Sequence, residues 1–226
     1  MIARTARTVA LASLAFIPSR LQAQTSTQAS RFEAAVGARW NGTMDLGQSA
    51  ANEVGSSGHP TPVFLTRSQL GHLTGIEGRV GTLLTRRVKV EAAVLYGFTE
   101  LETHISSDTE GAAALTATER VKELVIAGEV VAYLIRLEDR RRTTPFLIGG
   151  VGYLRQLFSA QTLALTGQSY FAGGGIDVVL DRSTHTLAKA AGIRLDGRMI
   201  LNSGGVALNH DRWFGPSAGA SLFFRF

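Results

Sequence analysis

The stretch ETHISSDTE sets His104 two residues before Ser106, with Glu102 and Glu110 as nearby carboxylates. Those residue types could run an acyl-transfer relay, in which the imidazole takes the hydroxyl proton and a carboxylate orients the ring. The same stretch also reads as a polar surface loop, since Ser107 and Asp108 follow the serine. The other histidines, His59, His72, His185 and His210, form no i, i+4 pair with one another or with His104. None has a carboxylate at metal-ligand spacing, so no metal is expected. GVGYLR and GGGID lack the third glycine and the lysine of a phosphate cradle and read as strands, so no cofactor is expected either.

The remaining ionisable residues recur at alternate positions. In RFEAAVGARW the even positions hold Phe32, Ala34, Val36, Ala38 and Trp40, and the odd ones Glu33, Ala35, Gly37 and Arg39. Val88 to Phe98 repeat the pattern, apolar at even positions, with Lys89 and Glu91 opposite. In the last strand Phe214, Ala218, Ala220, Leu222, Phe224 and Phe226 oppose Ser217, Gly219, Ser221, Phe223 and Arg225. The mixed face collects Glu33, Arg39, Glu77, Arg79, Lys89, Glu91, Asp177, Arg194, Asp196, Arg198 and Arg225, with both signs in similar number. A soluble barrel would turn its polar face outward; an unbroken apolar face opposite charges of both signs is what lipid outside requires.

Eight alternating segments can position these residues, near 31–40, 72–84, 88–101, 118–137, 144–158, 169–180, 187–201 and 213–226. The fourth and fifth alternate less cleanly and leave Glu129 and Arg155 without an assigned face. Links after the second, fourth and sixth segments are short; those after the odd ones are longer, above all Asn41 to Gly71, rich in Gly, Ser, Asn and Pro, and Glu102 to Thr116. This alternation predicts an all-β fold, an eight-stranded antiparallel up-and-down transmembrane β-barrel with both termini periplasmic. Aromatic girdles are expected at Phe32, Phe146, Phe224 and Phe226 on the periplasmic side and at Trp40, Tyr96, Phe98, Tyr170 and Phe214 on the other. A lumen of eight strands is just wide enough for side chains to fill, so the charges must pair into a closed plug, with strand glycines making room.

Composition agrees. The 226 residues are 45% hydrophobic and 18% charged, too apolar for disorder, and hold no cysteine for a disulfide framework. MIARTARTVALASLAFIPSRLQAQ has a basic start, a short apolar core from Val9 to Ile17 and Leu21 and Ala23 placed like a signal-peptidase site, so 1–23 reads as a signal peptide and 24–226 as the barrel domain. Its removal takes away Arg4, Arg7 and Arg20 and lowers the net charge from +5 to +2. With no basic run interleaved with aromatics, no nucleic-acid partner is expected.

The final SAGASLFFRF places Ser217, Gly219, Leu222 and Phe224 at alternate positions before a terminal Phe226. This end resembles the assembly signal of outer-membrane barrel proteins. With the eight-strand layout, TPFLIGGVGY and AGIRLDGRMIL, the mature chain is similar to the OmpA/OmpX-like eight-stranded outer-membrane barrels over nearly its whole length. The resemblance implies a Gram-negative outer-membrane location, outer-membrane lipid and the barrel-assembly machinery as partners, and no chemistry. Outer-membrane lipid A deacylases resemble the His104/Ser106 pair, but the asparagine and apolar residues they place after the serine are absent here. The expectation is therefore a monomeric, non-enzymatic barrel with a structural or surface-interaction role. The alternatives are a barrel-rim lipid-processing enzyme and a soluble periplasmic barrel holding a small apolar ligand.

Overall fold

The computed structural model describes residues 32–54, 60–106, 113–137, 142–158, 164–182, 188–206 and 212–226. The expected signal peptide, Glu110, His59, His185 and His210 lie outside them. The described residues form ten antiparallel strands: β1 (Phe32–Asn41), β2 (Met44–Val54), β3 (Pro60–Leu70), β4 (Leu73–Leu83), β5 (Val88–Ser106), β6 (Leu115–Tyr133), β7 (Thr143–Phe158), β8 (Ala164–Arg182), β9 (Ala190–Gly204) and β10 (Arg212–Arg225). Eight of them, β1, β4 and β5 to β10, close a ring in that order, with β10 returning to β1. The closing seam runs without a register shift from Glu33 opposite Arg225 to Asn41 opposite Ser217. Each of the eight strands is thus laddered on both edges inside the ring, the condition a bilayer imposes on strands.

The period-2 pattern fixes the two faces. On β5, Val90, Val94, Tyr96 and Phe98 are exposed outward, while Lys89, Glu91, Ala93, Leu95 and Thr99 are buried. Around the ring the outer face adds Val36, Ile76, Val80, Ile126, Val130, Val151, Leu195 and Met199. Cross-strand register sets Trp40, opposite Thr74, and Phe98, also opposite Thr74, at one rim, whereas Phe32 lies opposite Thr82 at the other. Tyr96 and Phe98 meet edge to face at 5.4 Å on the first rim.

Two features differ from the sequence expectation. The link Asn41 to Gly71, read as a loop, contains β2 and β3, which prolong β1 and β4 into one long hairpin bent where Gly42 and Gly71 interrupt it. Gly42 N–H donates to Pro216 O at 2.8 Å and Gly71 N–H to Glu100 O at 2.7 Å, while Thr99 Oγ1 donates to Gly71 O at 2.8 Å. A side chain at Gly42 would come within 2.9 Å of the Pro216 ring, so the bend needs glycine there. Beyond the bend β3 pairs with Leu101–Ser106 of β5, giving those backbone groups partners that β4 no longer supplies. The Gly, Ser and Asn content of this segment hid its alternation. The second difference is length: β5 and β6 stay paired as far as Ile105 and Leu115, so the expected link Glu102 to Thr116 is partly strand.

Bending carries apolar side chains across one mouth of the ring. Met44 and Leu46 of β2 and Leu70 of β3 bury themselves against Leu154 and Trp213. At the opposite mouth Val131, Tyr133, Phe146 and Ile148 form a second buried cluster.

Candidate functional site

Between these apolar ends the lumen is a column of charge. Seven buried carboxylates (Glu33, Glu77, Glu91, Glu123, Glu129, Asp177, Asp196) share it with six buried cations (Arg39, Arg79, Lys89, Arg194, Arg198, Arg225). Twelve of them sort into two layers of three carboxylates and three cations.

Arg194 organises the layer nearer the short turns. Its Nε donates to Asp177 at 2.7 Å, its Nη1 to Glu91 at 3.0 Å, and its Nη2 to Glu33 at 2.9 Å and to the Tyr133 hydroxyl at 3.2 Å. Lys89 bridges Glu33 at 2.5 Å and Glu91 at 2.8 Å. Arg225 reaches both Glu33 and Asp177 at 2.7 Å, and Tyr133 Oη donates to Asp177 at 3.0 Å. Contributions come from β1, β5, β6, β8, β9 and β10.

The second layer joins Arg39, Glu77, Arg79, Glu129, Asp196 and Arg198. Arg39 donates to Glu77 at 2.8 Å, Asp196 at 2.9 Å and Ser217 Oγ at 3.0 Å. Arg79 pairs with Glu77 and, at 3.1 Å, with Asp196. Arg198 pairs with Asp196 at 2.6 Å and Glu129 at 2.7 Å. Shared, multidentate bonds of this kind offset the several kcal/mol that removing each charge from water costs.

All eleven charges picked out on the mixed face lie in these layers. Glu129, left without a face above, completes the second one, and Tyr133 joins the first. The signal for Glu129 was available: Glu123 and Glu129 share the odd parity of β6 with buried Val131, although both faces of that strand are largely apolar. Arg155 is exposed. Phe146 requires a correction, because its ring is buried inside, not in a lipid-facing girdle. Arg194 stacks on it at 4.9 Å, and Gly175 on β8 leaves the space, since a Cβ there would lie 2.7 Å from Phe146 Cζ.

That arrangement recurs. Phe171 lies under Arg198 at 4.8 Å and beside Gly150, and Phe223 under Arg225 at 4.5 Å and beside Gly192; a Cβ on either glycine would sit 2.5 Å from the ring. Three lumen arginines are thus each set over an aromatic ring, which adds cation–π attraction to their ion pairs. The five residues of the terminal motif divide between the faces. Ser217 is buried against Arg39, and Gly219 admits Arg39 and Asp196, whose atoms would meet an added Cβ at 2.8 and 3.1 Å. Leu222, Phe224 and Phe226 point outward, 50%, 40% and 38% exposed.

Among the described residues no His104 relay is assembled. His104 Nδ1 lies 3.0 Å from Thr116 Oγ1, and the Glu102 carboxylate accepts a 2.7 Å bond from Gln69. Near it on the bent hairpin, the Gly47 N–H (2.9 Å) and Arg67 (2.7 Å) bind Asp45 and hold its carboxyl below the usual carboxylate range. Gly47, at φ 96°, makes the bulge that aims this N–H at Asp45.

A closed antiparallel ring of eight strands, apolar outside and ion-paired within, defines a transmembrane β-barrel. No protein-family model matches the chain, and no curated protein matches it significantly. Among solved structures the chain is similar to Neisserial surface protein A, at 11% identity over 88% of this chain and 98% of that one, with a TM-score of 0.45. It is also similar to Ail, the attachment invasion locus protein of Yersinia pestis, in complex with the heparin analogue sucrose octasulfate (11% identity, 87% and 99% covered, TM-score 0.42). A third likeness is to the N-terminal β-barrel domain of Pseudomonas aeruginosa OprF (13% identity, 88% and 100% covered, TM-score 0.38). The assignment to barrels rests on the ring and its two faces, not on these likenesses.

Proposed function

We propose that this chain is an outer-membrane barrel with a closed lumen and a structural or surface-interaction role, both termini lying on the periplasmic side. The observation that supports the reading is the stack of two buried, charge-balanced ion-pair layers between two apolar clusters. A pore needs a hydrated path, and an eight-stranded ring offers none once its interior is occupied. The face available for partners is then the end carrying the longer strands. There Glu100 to Ser106 of β5 continue for about 18 Å beyond the aromatic rim, at about 3.3 Å per residue and a tilt of about 40°. The bent hairpin β2–β3 is laddered to that extension. Delivery by the barrel-assembly machinery is read from Leu222, Phe224 and Phe226 on the closing strand.

Membrane fractionation with a folded-versus-boiled gel shift, followed by planar-bilayer recording on purified monomer, tests the reading. Heat-modifiable protein in the outer-membrane fraction that gives no stable current steps is expected. Large reproducible steps, or recovery in the soluble periplasmic fraction, would overturn it.

A further inference from the structure

The seventh carboxylate, Glu123, belongs to neither layer. It is 4% exposed and accepts one hydrogen bond, from Gln156 Nε2 at 3.0 Å; no Lys, Arg or His among the described residues pairs with it. Register joins it through Gly97 and Gly75 to Arg39, but the Arg39 guanidinium is committed to Glu77, Asp196 and Ser217. Both layers are neutral, so Glu123, when ionised, carries the uncompensated charge among the described lumen residues.

Glu123 also lines an internal cavity of about 30 Å³ above the second layer. Asn41 and Asn202, 3% and 2% exposed, line the same cavity, and the side-chain oxygen of each has no hydrogen-bond partner. Orphaned buried acceptors are rare because each forfeits its solvation. Two of them in one cavity with an unpaired carboxylate form an acceptor-rich pocket lacking its cation; the unpaired donor nearby, the Trp213 indole N–H, lines the adjoining cavity with Asn41 and Glu123. Arg39 and Arg198 line the floor, yet both are saturated by the layer's own carboxylates.

We propose that this cavity binds one small monovalent cation, of the size of Na⁺, held by the Glu123 carboxylate and the side-chain oxygens of Asn41 and Asn202. One negative charge and neutral oxygens suit a monovalent ion. A divalent ion would ask for further carboxylates, and no group of three or more His, Cys, Asp or Glu suited to a metal occurs among the described residues. The ion completes the charge balance of the column. A second small cavity, lined by Asn41, Glu123, Met44, Leu70 and Trp213, adjoins it on the side of the bent hairpin.

Refolded full-length barrel in zwitterionic detergent at pH 8 tests this, with NaCl exchanged for choline chloride at constant ionic strength and unfolding followed by tryptophan fluorescence. An ion that binds only the folded state lowers the unfolding constant tenfold for each tenfold rise in Na⁺ above half-saturation. Choline, too large for the cavity, has no such effect. Glu123→Gln abolishes the Na⁺ dependence; should that variant fail to refold, Asn202→Ala must raise the half-saturating Na⁺ concentration at least tenfold. An equal response to Na⁺ and choline, a Glu123→Gln barrel that keeps the wild-type dependence, or an unchanged half-saturation in Asn202→Ala overturns the proposal. So does a Na⁺-independent wild type, in which Glu123 would instead carry a proton.

Discussion

Arg194→Met is the sharpest probe of the filled lumen. Methionine keeps much of the apolar stem against Phe146 and deletes the guanidinium that reaches Asp177, Glu91, Glu33 and Tyr133. Three carboxylates then face two cations, Lys89 and Arg225, in a space where Arg194 is wholly buried. Breaking a buried pair by removing one partner costs about 3–5 kcal/mol. With a urea slope of about 2 kcal/mol/M, the unfolding midpoint in detergent falls by about 2 M. Lost packing alone would not distinguish this from any cavity, so the second variant is Arg194→Met with Glu91→Gln, which restores two charges of each sign. More than half of the loss should return. If the single variant unfolds within about 0.5 kcal/mol of wild type, or if Glu91→Gln adds to the loss, the layer is not an interdependent ion-pair unit.

On the outer face, Val94→Arg should destabilise the barrel by about 2–4 kcal/mol, while Thr118→Arg, exposed on the extension beyond the rim, should change it by under about 1 kcal/mol; equal unfolding midpoints would refute the placement of lipid. Gly150→Ala drives a Cβ to 2.5 Å from the Phe171 ring and should cost about 1–3 kcal/mol, whereas Gly78→Ala, with nothing within 4 Å, should be neutral or stabilising by about 0.5 kcal/mol in the same titration. Deleting Phe226, whose N–H donates to Phe32 O at 2.9 Å, should leave refolding in detergent intact but sharply lower the amount recovered in the outer membrane, as a fractionated immunoblot would report.

The ring was legible in the sequence because lipid outside and charge inside impose a two-residue period, which β1, β5 and β10 display almost without exception. Where both faces are apolar, the period carries little information. Phe146 reads as a lipid-facing aromatic until Gly175 and Arg194, distant in sequence, are brought against it. Glu123 and Glu129 look alike along β6, and only the third dimension gives one a cation and the other none. The bent hairpin was missed for a different reason: its backbone pairing with β5 leaves no side-chain signature, and its small polar residues are those of loops.

The two layers also bear on how the ring can close. Without β1, the first layer lacks Glu33 and the second lacks Arg39. The other seven strands therefore present a surplus positive charge at one level and a surplus negative charge at the other. β1 carries the complementary poles, Glu33 and Arg39, on one face and six residues apart, so it behaves as a polarised key that fits one way up. A parallel β1 would set like against like, and a slip of two residues, though it keeps the correct face inward, would displace both poles by about 7 Å. Correct register is thereby specified by electrostatics as well as by backbone pairing, and a mis-registered seam would leave charges buried without their partners.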